Sequence, residues 1–383
     1  LLETESIIIF YVIHFFFFYS GILLFMMEKL TSRLQSAYET AFRWDEDEEL
    51  LARCLSVVPI EVIEPSGCEN ERVLDSALLQ RLSKWFQGYM TWVNAPACSS
   101  CPNGSSEAMG TGGPDICTPE EVAGMALRVE LYKCDSCPSI IRFPRFNNPD
   151  AILSSRRGRC GEYANLFGCI CRAVGFETRY ILDFTDHVWI EVWVEGDSRW
   201  VMADGCEGQS DVPWMYEKGW GKKLSVIVAA GRQCGCSDVT RRYTKKIEEE
   251  EFQKRRRSAL FGLEEEVAEC VFNTVNNRCV KSRLIETNEQ GIHNNDAMKE
   301  RYEMEQMYLK NCSQKHTWED DMAEKQSRVQ KETEKKEFSV NNTNTHVENV
   351  IGEAGGRTSG ALSWRLMRGE LGDDGEGSYC SKT

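Results

Sequence analysis

Three side chains far apart along the chain are of the types that together make a nucleophilic thiol centre. Cys160 stands in Gly158-Arg159-Cys160-Gly161-Glu162-Tyr163-Ala164-Asn165, at the start of an apolar stretch with helical spacing. A thiol at a helix start meets unsatisfied amides and the positive end of the dipole, which favour the thiolate. Arg156, Arg157 and Arg159 add positive potential. A nucleophilic thiolate works with a base and an orienting acid. His187 is the one imidazole between His14 and His293, so any base in the central region must be that residue. Downstream of it the residues alternate, with His187, Trp189, Glu191 and Trp193 on one strand face and Val188, Ile190, Val192 and Val194 on the other. A turn centred near Gly196 and Asp197 places His187 opposite residues 204–206, where Asp204 stands. Directly opposed residues hold their Cβ atoms about 4.5–5.5 Å apart, close enough for a carboxylate to bind an imidazole N–H. Asp204 then fixes the ring tautomer while the other nitrogen faces Cys160.

A second group of cysteines points to a metal. Cys98-Ser99-Ser100-Cys101 and Cys134-Asp135-Ser136-Cys137 are two CxxC pairs separated by 32 residues rich in Gly and Pro. Tetrahedral zinc takes four thiolates, two from each tight turn, and such a metal stabilises a segment with little core of its own. Four protein ligands leave no open position, so the expected zinc is structural. Cys117, inside the insert, is a candidate extra ligand. A thioredoxin-like role for either pair is set aside, because neither follows a strand and opens a helix.

The elements that must position these groups are legible as patterns. Residues 30–87 read as helical, with Leu34, Tyr38 and Phe42 at four-residue spacing and Leu78, Leu79, Leu82, Trp85 and Phe86 on a second amphipathic stretch. Pro59, Pro65 and Gly67 mark a connector between them. The spacing predicts a buried helix over 159–174 closed by Gly175. Strands are predicted over 178–184, 188–194, 199–203 and 222–230. Beyond about Thr240 the chain is charged, and 298–336 reads as a solvated helical face or a disordered tail. The segment 355–372 is Gly-rich with a lone Trp364.

Several blocks together resemble a known family. GRCGEYANLFGCICRAVGFETRY is similar to the nucleophile block of the transglutaminase-like superfamily, and more closely to that of the peptide:N-glycanase family. DFTDHVWIEVW resembles that family's histidine block, and RWVMADGCEG its aspartate block, followed by MYEKGWGKKLSVIVA. FQGYMTWVNAPACSSC, VELYKCDSC and RFPRFNNP resemble its zinc-knuckle segment, and GGRTSGALSWRLMRGELG a tail seen in it. The resemblance covers roughly residues 40–245. It implies Cys160 as nucleophile, His187 as base and then acid, Asp204 as orienter, and Cys98, Cys101, Cys134 and Cys137 as zinc ligands. It also implies cleft-lining roles for Trp92, Trp189, Glu191 and Glu207, with Glu207 bonding the core sugar. Tyr163 stands where the family has tryptophan, Met202 where it has histidine, and Gly205 where it has proline, departures that bear on the Asp204 strand end.

The implied fold is α+β: a transglutaminase-like (papain-like) core with a helix-start cysteine and an antiparallel sheet, a zinc-knuckle subdomain and helical extensions. The corresponding division is 1–29 apolar segment, 30–92 helical part of the core, 93–150 zinc-binding subdomain, 151–240 catalytic core and 241–383 charged tail. The implied chemistry is hydrolysis of the β-aspartylglucosamine bond of N-glycosylated, denatured proteins or glycopeptides, with proteasome-linked degradation factors as partners and a cytoplasmic or nuclear location. Two rivals share the fold: a transglutaminase, in which an amine resolves the same acyl-enzyme, and a non-catalytic glycan-binding paralogue.

Composition is consistent with that frame. The 383 residues are 42% hydrophobic and 27% charged, globular values that exclude a collagen-like or polytopic membrane chain. With 45 basic and 60 acidic residues the net charge is −15, which excludes non-specific nucleic-acid binding by the whole chain. The apolar run over 7–27 is long enough to span a bilayer but is preceded by Glu3 and Glu5, not by basic residues. It is read here as a gene-model artefact, with synthesis starting at Met26 or Met27. The alternative is a membrane anchor, whose flanking Lys29 and Arg33 would keep the remainder cytosolic.

Overall fold

The computed structural model describes residues 2–64, 74–101, 105–232, 234–286, 301, 303–305 and 307–309, with side chains described from residue 20 to residue 279 and again within 301–309. Helix α1 (Leu2–Phe42) buries Leu30, Leu34, Ala37, Tyr38 and Ala41, the three-to-four-residue spacing of one helix face. Most of the apolar 7–27 run precedes the described side chains. Among the described residues no helix is long and apolar enough to cross a membrane. Helix α2 (Glu48–Ser56) begins where the Asp47 carboxylate accepts the Leu50 N–H at 2.9 Å. After α3 (Ile60–Ile63), α4 (Ser76–Tyr89) is capped in the same way by Asp75 and buries Leu78, Leu79, Leu82 and Phe86. A short strand, β1 (Thr91–Trp92), follows.

The cysteine-rich segment forms its own sheet of β2 (Ser106–Gly112), β3 (Val129–Cys134) and β4 (Ile140–Pro144), in the order β2-β3-β4, with α5 (Pro119–Ala123) between the first two strands. Among the described residues its buried apolar cluster is Val93, Tyr132 and Phe143, with Ile141 packed against it. Three side chains contribute little burial energy, so this sheet depends on other constraints.

The chain then passes through α6 (Pro149–Ser155) and β5 (Arg157–Gly158) into α7 (Cys160–Val174). Strand β5 pairs parallel with β1, bringing Trp92 opposite Gly158. Helix α7 lies in the main core and ends as predicted at Gly175, in a left-handed conformation with φ 116°. Gly168 lets Trp44 approach the helix: a Cβ there would lie 2.3 Å from the indole. That indole donates to Asn165 Oδ1 at 2.8 Å.

Against α7 packs a six-stranded sheet of β6 (Thr178–Asp183), β7 (His187–Val194), β8 (Arg199–Asp204), β9 (Gln209–Ser210), β10 (Ile227–Gly231) and β11 (Gly235–Asp238). The order is β11-β10-β6-β7-β8-β9, every pair antiparallel. The strand expected over 222–230 begins only at Ile227. Lys222 is drawn inward to pair with Asp183 at 2.6 Å, and the Leu224 N–H turns back to the Lys222 carbonyl, so this stretch is looped.

Three helices complete the described fold: α8 (Thr240–Tyr243), α9 (Glu250–Ala259) and α10 (Glu265–Glu286). Helix α10 lays Ala268, Val271, Phe272, Val275 and Cys279 against α1. The reading of 298–336 as a solvated tail is corrected where it can be described. Glu305 and Leu309 are buried, Glu305 between Arg179 and Arg242 and Leu309 in the cluster with Trp189 and Tyr243. Opposite charge, absent from any local pattern, draws the segment in. The remainder of 298–336, and Trp364, lie outside the described residues.

Candidate active site

The helix that begins at Cys160 has an unusual start. No Ser, Thr or Asp caps it; instead the Glu162 carboxylate accepts the Arg159 N–H at 2.9 Å. The Arg159 guanidinium donates to the carbonyls of Val93 (2.8 Å) and Asn94 (3.1 Å) and to Glu130 of β3. Arg145 completes the lattice, bonding both Glu162 and Glu130. The cysteine-rich sheet is thereby bolted to the first turn of α7. Burial works against the Arg145 charge, but Glu162 and Glu130 outweigh it and hold the guanidinium firmly protonated. The half-buried Cys160 sulfur therefore sits at the positive end of α7 with a permanent cation close by.

His187 opens β7 and is completely enclosed. Its Nε2 donates to Asp204 Oδ2 at 2.8 Å, which leaves Nδ1 for the hydrogen bond with Cys160. The geometry differs in one respect from simple cross-strand opposition. Observed pairs run from Val194↔Arg199 to Ile190↔Ala203, and continuing that register sets Asp204 across from Trp189. Asp204 is thus the diagonal neighbour of His187, a spacing that needs a reaching side chain in place of direct contact. The Asp204 carboxylate is fixed by two further donors: the Cys206 N–H on Oδ1 at 2.8 Å and the Tyr216 hydroxyl on Oδ2 at 3.0 Å. Burial would lower the His187 pKa, but the Asp204 charge, its hydrogen bond and Cys160 outweigh it and push the value up to about 9. Burial would likewise raise Asp204, yet His187 and the other donors hold it below the usual carboxylate range.

The remaining predicted residues divide. Trp92 is half-buried opposite Gly158, two residues before Cys160, its ring 5.7 Å from that of Tyr163. Glu207 is half-buried in the turn from β8 to β9, just past Asp204. Trp189 and Glu191 do not line an open cleft. Trp189 is buried, donates to the Tyr243 hydroxyl at 2.9 Å and lies 4.3 Å from the Tyr216 ring. Glu191 is fully enclosed and paired with Arg179 and Arg242. They share a face with His187, but the packing of Tyr216, Tyr243, Glu305 and Leu309 covers that face beyond the ring. Met202 is buried in the same cluster as Trp189, and a Cβ on Gly205 would meet the Phe86 ring at 2.7 Å, so both departures are filled by local packing.

The four predicted metal ligands converge. The sulfurs of Cys98, Cys101, Cys134 and Cys137 lie within 4.8 Å of one another, and those of Cys98 and Cys137 are 3.8 Å apart. Tetrahedral zinc with bonds of about 2.3 Å needs sulfurs roughly 3.8 Å apart, so the donor set and its size fit that metal. Cys117 lies outside the cluster and contacts the Ala126 carbonyl at 3.1 Å.

Residues 115–205 match the family model described as the transglutaminase-like superfamily, and 184–310 match the Rad4 transglutaminase-like domain. The chain carries a transglutaminase-like domain. Among curated relatives, the Arabidopsis thaliana peptide-N(4)-(N-acetyl-beta-glucosaminyl)asparagine amidase is 34% identical over 320 residues, 84% of this chain and 37% of the relative. The Oryza sativa subsp. japonica amidase of the same name is 48% identical over 167 residues, 43% of this chain and 36% of the relative. The chain therefore spans little more than a third of the length of these two relatives. A solved Rad4/XPC nucleotide excision repair complex aligns with 16% identity and a TM-score of 0.45, over 76% of this chain and 61% of that one.

Within this transglutaminase-like centre, the sequence reading had missed Tyr216 and Trp220. Both rings flank His187, at 5.4 and 5.3 Å, and Trp220 is half-buried. Both fall in the MYEKGWGKKLSVIVA run already singled out, which carried no periodicity that would assign either ring a role. The Arg145–Glu130–Glu162 lattice was also missed, because its members come from separate elements.

Proposed function

We propose that this chain is the core of a deglycosylating amidase that hydrolyses the β-aspartylglucosamine bond of N-glycosylated, denatured proteins. The observation that carries the reading is the enclosed imidazole between the Cys160 sulfur and the Asp204 carboxylate, in a stretch similar to enzymes named for that reaction. Cys160 Sγ attacks the side-chain carbonyl carbon of the glycosylated asparagine, and amides at the start of α7 hold the oxyanion. His187, with a pKa near 9, is protonated at neutral pH and passes its proton to the departing glycosylamine nitrogen. Water, deprotonated by the same ring, then cleaves the thioester and leaves aspartate. Asp204 holds Nε2–H throughout, so that Nδ1 is the nitrogen that moves protons.

In this reading Cys98, Cys101, Cys134 and Cys137 hold a structural zinc ion that staples the 93–150 subdomain, the catalytic core is 151–240, and Trp92 and Glu207 contact substrate. A cytoplasmic or nuclear location and proteasome-linked partners belong to the same reading and rest on the resemblance of the sequence blocks. The deciding experiment incubates wild type and Cys160→Ala with a denatured high-mannose glycoprotein. Glycan release with conversion of asparagine to aspartate by wild type alone is expected. Amine incorporation without glycan release would instead assign a transglutaminase, and glycan binding without turnover a non-catalytic paralogue.

A further inference from the structure

Tyr216 follows the one-turn helix Pro213–Met215 and is wholly enclosed. Its hydroxyl donates at 3.0 Å to Asp204 Oδ2, the same oxygen that accepts His187 Nε2 at 2.8 Å. Its ring stands 5.4 Å from the imidazole at 63° and 4.3 Å from Trp189. We propose that Tyr216 is a positioning residue for the Cys160–His187 pair, fixing the Asp204 carboxylate and drawing part of its charge away from the imidazole. The role rests on the amidase reading above only for the reaction it serves; the geometry does not depend on it.

A buried carboxylate with three donors has one arrangement that satisfies all of them. Oδ1 is held by the Cys206 N–H, and Oδ2 is shared. A carboxylate that gives all of Oδ2 to the imidazole binds its proton more tightly and makes His187 a poorer acid. The phenol competes for that oxygen, so Tyr216 restrains the basicity that Asp204 confers on His187. The ionisable groups around this pair are Cys160 from α7, Asp204 from β8, and, behind Tyr216, Tyr243 from α8 and Cys206. Tyr216 itself stays protonated, since burial and the Asp204 charge hold its pKa well above the ordinary tyrosine value.

The test is Tyr216→Phe in the full chain, which keeps the ring and deletes one donor. Titration of the His187 ring by NMR should show its midpoint raised by about half to one pH unit, the size of one lost hydrogen bond. In glycopeptide hydrolysis kcat should fall roughly 3- to 10-fold, its alkaline limb should move up with the ring midpoint, and KM should stay unchanged. A purely structural tyrosine would lower the melting temperature and leave the pH midpoints in place, and that result would overturn the proposal. A shifted ring midpoint in a protein that cleaves no glycopeptide would support the positioning role and remove the reaction assigned above.

Discussion

Glu305 offers a sharp test of how this fold is held together. Its carboxylate lies within hydrogen-bond distance of both Arg179 and Arg242, each also bound to Glu191, and all four side chains are at most 3% exposed. The two arginines and two glutamates sum to zero charge; Glu305→Gln leaves one uncompensated cation in the interior. Breaking a buried ion pair by removing one partner costs about 3–5 kcal/mol. The electrostatics of the buried pair give a second figure. Burial would raise the Glu305 pKa, but Arg179 and Arg242 lower it from 4.5 to about 2. At 1.36 kcal/mol per unit that difference is about 3 kcal/mol. Because the folded value is depressed, this contribution is fully present above pH 4.5 and is lost as pH falls toward 2. Urea denaturation at pH 7 should therefore place Glu305→Gln about 3 kcal/mol below wild type, with the gap narrowed to about 1–1.5 kcal/mol at pH 3. Arg257→Ala, which breaks the exposed pair with Glu264, should cost under about 1 kcal/mol in the same assay. A loss below about 1 kcal/mol for Glu305→Gln, or a gap independent of pH, would refute the claim that Glu305 is a paired member of the core.

Further outcomes follow from the site and its supports. Asp204→Asn removes the charge that raises His187, so burial should carry the ring pKa below its ordinary 6.5; kcat should fall by at least about a hundredfold, read as glycopeptide hydrolysis at pH 7. In wild type the stabilisation from protonated His187 should be complete below pH 6.5 and disappear as pH rises through about 9, with kcat declining over the same upper range, measured by urea titration and pH–rate profile. Cys134→Ser, or strong chelation, should release about one equivalent of zinc by elemental analysis and destabilise the β2-β3-β4 sheet, seen as faster amide exchange there, because its own apolar cluster is three residues. Gly168→Ala should cost about 1–3 kcal/mol in denaturant melts, since the Trp44 indole, tethered to Asn165, cannot retreat from the added methyl.

The amino-acid sequence alone determined the local elements and the side chains that meet at the candidate site. The apolar run closed by Gly175 specified α7, strict alternation specified β7, and two CxxC turns specified a four-sulfur cluster, each because its signal repeats within one element or one turn. A single histidine in the central region left no choice of imidazole. Tertiary structure alone decided which faces are covered and how strands are offset. Alternation places Trp189 and Glu191 on the face of His187, but only the packing of Tyr216, Tyr243 and Glu305 turns that face into interior. Register is a property of two strands and the turn between them, so the diagonal placing of Asp204 could not be read from either strand. The Arg179–Glu305 pair joins residues 126 positions apart, and long-range charge complementarity leaves no periodic trace in the chain. Side-chain chemistry and short-range spacing named the participants; burial, which depends on everything packed around them, assigned each to the site or to its support.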